Sequence, residues 1–341
     1  MIVHSNGLDK LEQRLGEDLT LLNLPAKSWA PPRIIDGARV LDVVVVGAGM
    51  LGLVAAGALS HVGIDNILIL DRASAGFEGP WVTSARMETL RTRKDAAGPA
   101  LGVPSLTFRA WFEAQHGAEA FARMERVPRP MWMDYLVWYR RVLALPVRNE
   151  TTVTDIRLRE DGIVALTAVA GNNTGELLAR RVVLATGIDG LGAPSLPEVA
   201  RDLPVHYRAH SSEHIDFGAL VGKQVAVVGA GASAMDNAAA ALEAGAARVD
   251  IFIRRSDIPR VDKFSGVGSR GMTHGFVGLP DEAKWAYMLE GERAQIPPPR
   301  HSVERVAHHA NAHFHLASLF TALTESDGGV EITTPKRDYR V

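Results

Sequence analysis

An apolar strand, a glycine-rich turn and a small-residue helix occur twice in this 341-residue chain. The first copy is VVVVGAGMLG, with Gly47, Gly49 and Gly52. The second is VAVVGAGASA, with Gly229 and Gly231, then Ser233 and Ala234, the alanine standing where a third glycine would fall. In such a turn the first glycine permits a tight reversal and the second lets backbone approach a pyrophosphate. The third position must be small so that helix and strand pack closely. The helix N-terminus then offers free N–H groups and a partial positive charge to phosphate oxygens. One such turn holds one dinucleotide. Two imply two dinucleotides, and the usual pair is a flavin and a nicotinamide.

The two copies differ at the end of the following strand. After the first, Asn66–Leu70 ends in Asp71 and Arg72, and Asp71 lies 24 residues after Gly47. A carboxylate there accepts hydrogen bonds from ribose hydroxyls. This suits an unphosphorylated ribose, as in FAD. The bland alternative is a structural turn with no ligand. After the second copy, Arg248–Ile253 ends in Arg254 and Arg255, with no acid. A guanidinium pairs with a ribose 2′-phosphate, which favours NADPH over NADH. The alternative is a pair of solvated strand-end charges.

Composition narrows the chemistry. The formal net charge is −2, so no nucleic-acid or membrane-surface partner is indicated. No apolar run reaches membrane-spanning length, and the charged N-terminus lacks a signal-peptide core. The chain therefore reads as cytoplasmic, and a homo-oligomer is compatible with it. It has no cysteine, which removes a dithiol relay and any thiolate metal site. Electrons on a bound flavin must pass directly to a substrate, to dioxygen or to a partner protein.

Along the chain, Leu8–Leu22 has helical spacing, with Asn6 or Asp9 as a cap, and the Pro-rich 24–36 reads as an arm. Residues 72–146 are mixed and hold Trp81, Trp111, Trp132 and Trp138. Thr151–Val169 reads as a hairpin about Glu160–Gly162, and Asp189–Pro204 as a domain crossing. Ser256–Pro299 reads as loop-rich, Val303–Leu323 as one helix and Gly329–Thr334 as a short strand. His309 and His313, four apart on that helix, admit a metal reading, but no third ligand stands beside them and a helix face is preferred. The final KRDYRV reads as the approach to a further parallel strand, so the natural chain is expected to extend past Val341.

Further motifs carry a resemblance. EGPWVTSARMETLRTRK (78–94) contains Gly79, Pro80 and Trp81; VVLATG (182–187) contains Thr186 and Gly187; HSSEH (210–214) and GKQVAVVGAGASAMDNA (222–238) follow. With the two turns they span most of residues 40–260. Their identity and order resemble the flavin-containing monooxygenase superfamily, in particular its bacterial and N-hydroxylating members. The resemblance implies an α/β fold of two Rossmann-like dinucleotide-binding domains, with an NADPH domain inserted into an FAD domain whose C-terminal part is missing here. The FAD domain would be residues 1–203, with a helix and arm over 1–39. The NADPH domain would be 204–341, with 335–341 starting the return. It implies that Trp81 packs on the flavin, although Trp81 as core is the alternative. Thr186 and Gly187 would lie where the chain leaves the flavin domain.

The same resemblance implies an FAD- and NADPH-dependent monooxygenase. Hydride from NADPH would reduce the flavin, and a hydroperoxyflavin would transfer one oxygen from dioxygen to a soft nucleophile, an amine nitrogen or sulfur of a small molecule. Two alternatives stay open: a flavin reductase serving a partner, and a non-catalytic FAD-binding protein. Arg91, Arg93 and Lys94 are read as cofactor or substrate contacts or as solvated charge. His210 with Ser211 or Ser212 is read as cleft lining or a cap, and Asp236 and Asn237 as helix packing. No residue is assigned a catalytic role.

Overall fold

A computed structural model describes residues 5–262, 265–294 and 296–341. The chain divides into two units, Met1–Ala193 and Pro194–Val341, the break falling inside the Gly- and Pro-rich crossing. Both units are mixed α/β structures built around parallel strands.

In the first unit, β1 (Leu41–Val46), α2 (Met50–His61) and β2 (Ile67–Leu70) follow α1 (Ser5–Leu21). Asn6 and Asp9 lie inside α1. After the helices α3 (Phe108–His116), α4 (Ala118–Arg123) and α5 (Arg129–Val142) come β3 (Val147–Arg148), β4 (Thr152–Leu158), β5 (Val164–Ala170) and β6 (Asn173–Leu184). The sheet order is β3-β2-β1-β6-β5-β4. Strands β3, β2, β1 and β6 pair parallel, and β6, β5 and β4 form an antiparallel meander. Because β1 is buried on both faces, it reads as an unbroken valine run. Val43 and Val45 enter the core under the helices, whereas Val44 packs with Leu70, Leu166 and Ala179 on the other face.

The mixed segment proves to be an aromatic core. The Tyr135 ring lies 5.1 Å from Trp132, 5.6 Å from Phe108, 5.8 Å from Trp111 and 5.9 Å from Trp138, centroid to centroid. Its hydroxyl donates to the Leu106 carbonyl at 2.6 Å. Such a cluster makes α5 a rigid bar against α3.

The second unit contains β7 (Gln224–Val228), α6 (Ala232–Glu243), β8 (Arg248–Phe252), α7 (Asp281–Ala294), α8 (Arg300–Ala307) and β9 (Ala312–His315). Strands β7, β8 and β9 form a parallel sheet with β8 central. Three antiparallel strands follow: β10 (Ala322–Ser326), β11 (Gly329–Thr333) and β12 (Asp338–Arg340).

Two sequence expectations are corrected here. Val303–Leu323 is not one helix, because α8 ends at Ala307 and Ala312–His315 is a strand beside β8. Asn311 makes the turn, its amide donating to the carbonyls of Ala246 and Ala247 at 2.9 and 3.2 Å. His309 and His313 therefore do not share a helix face. The Asp338–Tyr339–Arg340 segment is a strand that pairs antiparallel with β11, and Tyr339 packs on Phe252 within the second unit. The loop-rich reading of 256–299 also missed α7, whose Ala, Leu, Met, Glu and Lys content favours helix. Among the described residues, no helix is long and apolar enough to cross a membrane.

A buried ionic cluster anchors β8 to β9. Asp250, 3% exposed, accepts from Arg248 at 2.6 and 2.8 Å, and His315 Nε2 lies 2.6 Å away. Burial pushes the Asp250 carboxyl up, but hydrogen bonds from Arg248 and His315 outweigh this and hold it below its ordinary value. A depressed carboxyl contributes stability above its unfolded pKa, and that stability is lost as pH falls through the folded value. Denaturant titrations should therefore show a loss setting in below about pH 4. Asp250→Asn should flatten that dependence and cost about 1–2 kcal/mol at pH 7, since Arg248 is partly screened by water. An unchanged acid limb would contradict this.

Candidate dinucleotide sites

Parallel register brings the first site together. Val46 pairs with both Leu70 and Leu184, so Gly47, Asp71 and Ala185 emerge at one edge of the sheet. Gly47 N–H donates to the Leu70 carbonyl at 2.7 Å. Gly47 has φ +105°, and a Cβ there would stand 2.4 Å from the Ala185 carbonyl oxygen. A Cβ on Gly52 would stand 1.8 Å from the Gly47 carbonyl oxygen, which is the close approach of helix to turn. Gly49 differs: its nearest neighbour would be Gly79 Cα at 3.8 Å. It caps α2 without a side-chain hydrogen bond, so the first-turn N–H groups face an open cradle.

Asp71, 9% exposed, accepts from Ala48 N–H at 2.7 Å through one oxygen and from Ala73 N–H at 2.8 Å through the other. The carboxylate thus ties the glycine turn to the next loop, and each oxygen keeps a lone pair for a hydroxyl donor. Arg72 beside it is exposed.

The Gly79–Trp81 segment lies across the turn. A Cβ on Gly79, φ +76°, would be 3.7 Å from Gly49 Cα and 3.6 Å from Trp81 Nε1. Trp81 packs edge-on to Trp132 at 6.2 Å, and its indole Nε1 is buried with no hydrogen-bond partner among the described residues. An orphaned donor beside a glycine cradle fits a bound acceptor such as a phosphate or flavin oxygen. Thr186 and Gly187 follow β6 at the same edge, both exposed, with Gly187 at φ +70°. Gly190 must lack a side chain, because its Cβ would lie 2.0 Å from Thr186 Oγ1.

The second site repeats the construction. Val228 pairs with Phe252, and Gly229, φ +120°, donates its N–H to the Phe252 carbonyl at 2.9 Å. A Cβ on Gly231 would meet nothing within 4 Å, and Gly231 caps α6 without a side-chain bond. Ser233 is exposed in the first turn. Leu70 and Phe252 each lie 23 residues after the first glycine of their turn. The positions of Asp71 and Arg72 are therefore taken by Ile253 and Arg254. Ile253 is 1% exposed and offers no acceptor to a ribose. Arg254 is exposed and Arg255 half-buried, and neither guanidinium has a hydrogen bond or ion pair among the described residues.

Several other candidates resolve as structural. Lys94 donates to the carbonyls of Phe121, Ala122 and Met124 at 2.7, 3.0 and 2.5 Å, capping the C-terminus of α4. Arg93 pairs with Asp95 at 3.5 Å on the surface, and His210 Nδ1 lies 2.8 Å from Ser212 Oγ in a local turn. Asn237 donates to the Ser233 carbonyl at 2.8 Å, and Asp236 ion-pairs with Arg305 at 3.6 Å. The hydroxyls of Tyr135 and Tyr139 are pushed up by burial in the aromatic core, which makes them packing groups and not acids. Sequence reading gave no role to Glu78, Arg140, Asn149 or Ile253. Only the first signals itself, as an acid directly before Gly79.

Residues 44–266, which include both turns, match the family model described as pyridine nucleotide-disulphide oxidoreductase. The chain is 42% identical over 334 residues to an FAD-dependent urate hydroxylase of Xanthomonas campestris, covering 98% of this chain and 70% of that protein. The chain belongs to this oxidoreductase family, within the flavin monooxygenase superfamily. Solved structures of similar fold include ornithine hydroxylase of Pseudomonas aeruginosa, with TM-score 0.71 and 18% identity over 86% of this chain and 77% of that one. The FAD-bound cadaverine monooxygenase of Erwinia amylovora gives TM-score 0.69 and 15% identity over 89% and 76%. Family membership extends to the disulphide reductases by name, but this cysteine-free chain lacks their dithiol.

The glycine geometry separates folding from binding. Gly52→Ala should cost about 2–4 kcal/mol, because the helix must move off the turn. Gly49→Ala should stay within about 1 kcal/mol of the wild type in denaturant titrations while weakening dinucleotide binding. Equal destabilisation by both changes would contradict the open cradle.

Proposed function

We propose that this chain is an FAD- and NADPH-dependent monooxygenase acting on a small, electron-rich nucleophile. The observation that carries the reading is the pair of turns built in identical register but followed by Asp71 in one and by Ile253 and Arg254 in the other. The first turn is read as the FAD site, within a domain of residues 1–203. Gly47, Gly49 and Gly52 bring α2 to the pyrophosphate, Asp71 accepts from the adenosine ribose with Arg72 alongside, and Trp81, Thr186 and Gly187 border the flavin half. The second is read as the NADPH site, within residues 204–341. Gly229, Gly231 and Ser233 meet the pyrophosphate, and Arg254 and Arg255 meet the 2′-phosphate.

FAD, when bound and reduced by NADPH, would supply the chemistry that activates dioxygen. The chain's residues orient the cofactors, hold their charges and exclude water. No side chain is given an acid–base role, in keeping with chemistry carried by the cofactor. The 42% identity to a urate hydroxylase makes urate, an electron-rich purine, the first substrate to test within this class. Amines and thioethers follow.

The FAD-loaded protein should be reduced by NADPH in stopped-flow absorbance. With urate and ¹⁸O₂ it should form product carrying one ¹⁸O per NADPH consumed. NADPH oxidation that yields only hydrogen peroxide across urate, amines and thioethers would overturn the oxygenase reading in favour of a reductase.

Coenzyme preference tests the second turn separately. Arg254→Ala with Arg255→Ala should raise KM for NADPH about tenfold or more, with NADH changed less than about twofold. Equal weakening of both coenzymes would show that the arginines are structural.

A further inference from the structure

Glu78 precedes the Gly79–Trp81 segment and is 3% exposed. Its Oε1 accepts from Arg140 Nη1 at 2.9 Å and Asn149 Nδ2 at 2.6 Å, and its Oε2 from Gly76 N–H at 2.8 Å. A buried carboxylate this fully engaged is held in one position. Trp81 and Val82 seat one end of its loop on the apolar core, with Trp81 edge-on to Trp132 of α5. At the other end a groove of about 570 Å³ is lined by Ala75, Gly76 and Glu78 of the loop and by Met133, Leu136 and Arg140 of α5. There the Glu78–Arg140 ion pair joins loop to helix.

The contacts around Glu78 run in a line. Asp71 Oδ1 accepts from Ala73 N–H at 2.8 Å, and the Ala73 carbonyl accepts from Asn149 Nδ2 at 3.1 Å. The same amide donates to Glu78, and Gly79 follows in the chain. Arg140 also bonds Asn149 Oδ1 at 2.9 Å and the Val147 carbonyl at 3.2 Å, which ties the line to β3 and to rigid α5. At the other end of α5, Arg129 donates to the carbonyls of Trp81 and Met87. Both ends of the Trp81 segment are thus fastened to one helix.

We propose that Glu78 is a positioning residue that couples the seating of the adenosine half of FAD at Asp71 to the placement of Gly79–Trp81 against the flavin half. This rests on the reading of the first turn as the FAD site. Binding at Asp71 orders Ala73, Asn149 and Glu78 together, so the Trp81 segment meets the flavin half already in place. Without the carboxylate, Asn149 and Arg140 still contact β3, and the adenosine end survives while the flavin end loosens.

The test compares ADP with FAD on the full chain freed of flavin, by titration calorimetry. Wild type should bind FAD tighter than ADP. Glu78→Ala should weaken FAD about tenfold and leave ADP within about twofold. Asp71→Ala, the control, should weaken both. Glu78→Gln keeps an acceptor for Asn149 but loses the charge. It should show the same split at about threefold, with a longer fluorescence lifetime of bound flavin as the indole of Trp81 quenches it less. It serves if the alanine variant does not fold. Equal weakening of ADP and FAD, or no weakening, by the Glu78 changes would overturn the proposal. Wild type that binds FAD no tighter than ADP would instead overturn the FAD reading beneath it.

Discussion

The hydrogen bond from a glycine N–H to the last carbonyl of the neighbouring parallel strand governs both halves of this molecule. Gly47 makes it to Leu70 at 2.7 Å and Gly229 to Phe252 at 2.9 Å. Each bond ends the ladder at a defined point and turns the chain into a helix whose N-terminus faces the strand ends. Whatever follows Leu70 or Phe252 is then fixed beside the turn. The chemical difference between the two sites reduces to what occupies those next two positions: a carboxylate and an arginine in one, a buried isoleucine and an exposed arginine in the other.

The first site depends on a second layer of support. Helix α5 is immobilised by the rings around Tyr135 and carries Arg129 at one end and Arg140 at the other. The segment over the glycine turn is held by backbone carbonyls bonded to Arg129 and by the carboxylate of Glu78 bonded to Arg140. Two guanidiniums beside the Trp81–Trp132 contact suit a loop that must keep one face open to a ligand. A wider hydrophobic seat would draw the loop onto α5 and away from the turn.

Much of this was legible in the residues. The valine run of β1, the glycine spacing and the Ala-rich helices each obey a local rule, and the local rules agree with the global sheet. Asp71 could be placed because one helix and one strand, 24 residues in all, separate it from Gly47. What escaped reading was set by contacts distant in sequence. Ala312–His315 continues the alanine- and histidine-rich run from Ala307, yet it pairs with Val249–Phe252, and Asn311 is bonded to Ala246 and Ala247 across the sheet. Lys94 read as a ligand contact or a solvated charge because nothing local shows that the end of α4 folds over it. Glu78 gave an acid before a glycine, but its partners lie 62 and 71 residues away. The absence of an acid after the second copy could be read, but that Ile253 takes the place of Asp71 and Arg254 that of Arg72 needed the register.

Two turns of one construction are proposed to select two different dinucleotides through the residues at two successive register positions. A crystal structure of the chain with FAD and NADP⁺ together tests it most directly. The account predicts the FAD pyrophosphate at Gly49 with a ribose hydroxyl on Asp71, and the NADP⁺ pyrophosphate at Gly231 with its 2′-phosphate on Arg254. NADP⁺ at the first turn, or FAD with its ribose beside Ile253, would contradict it.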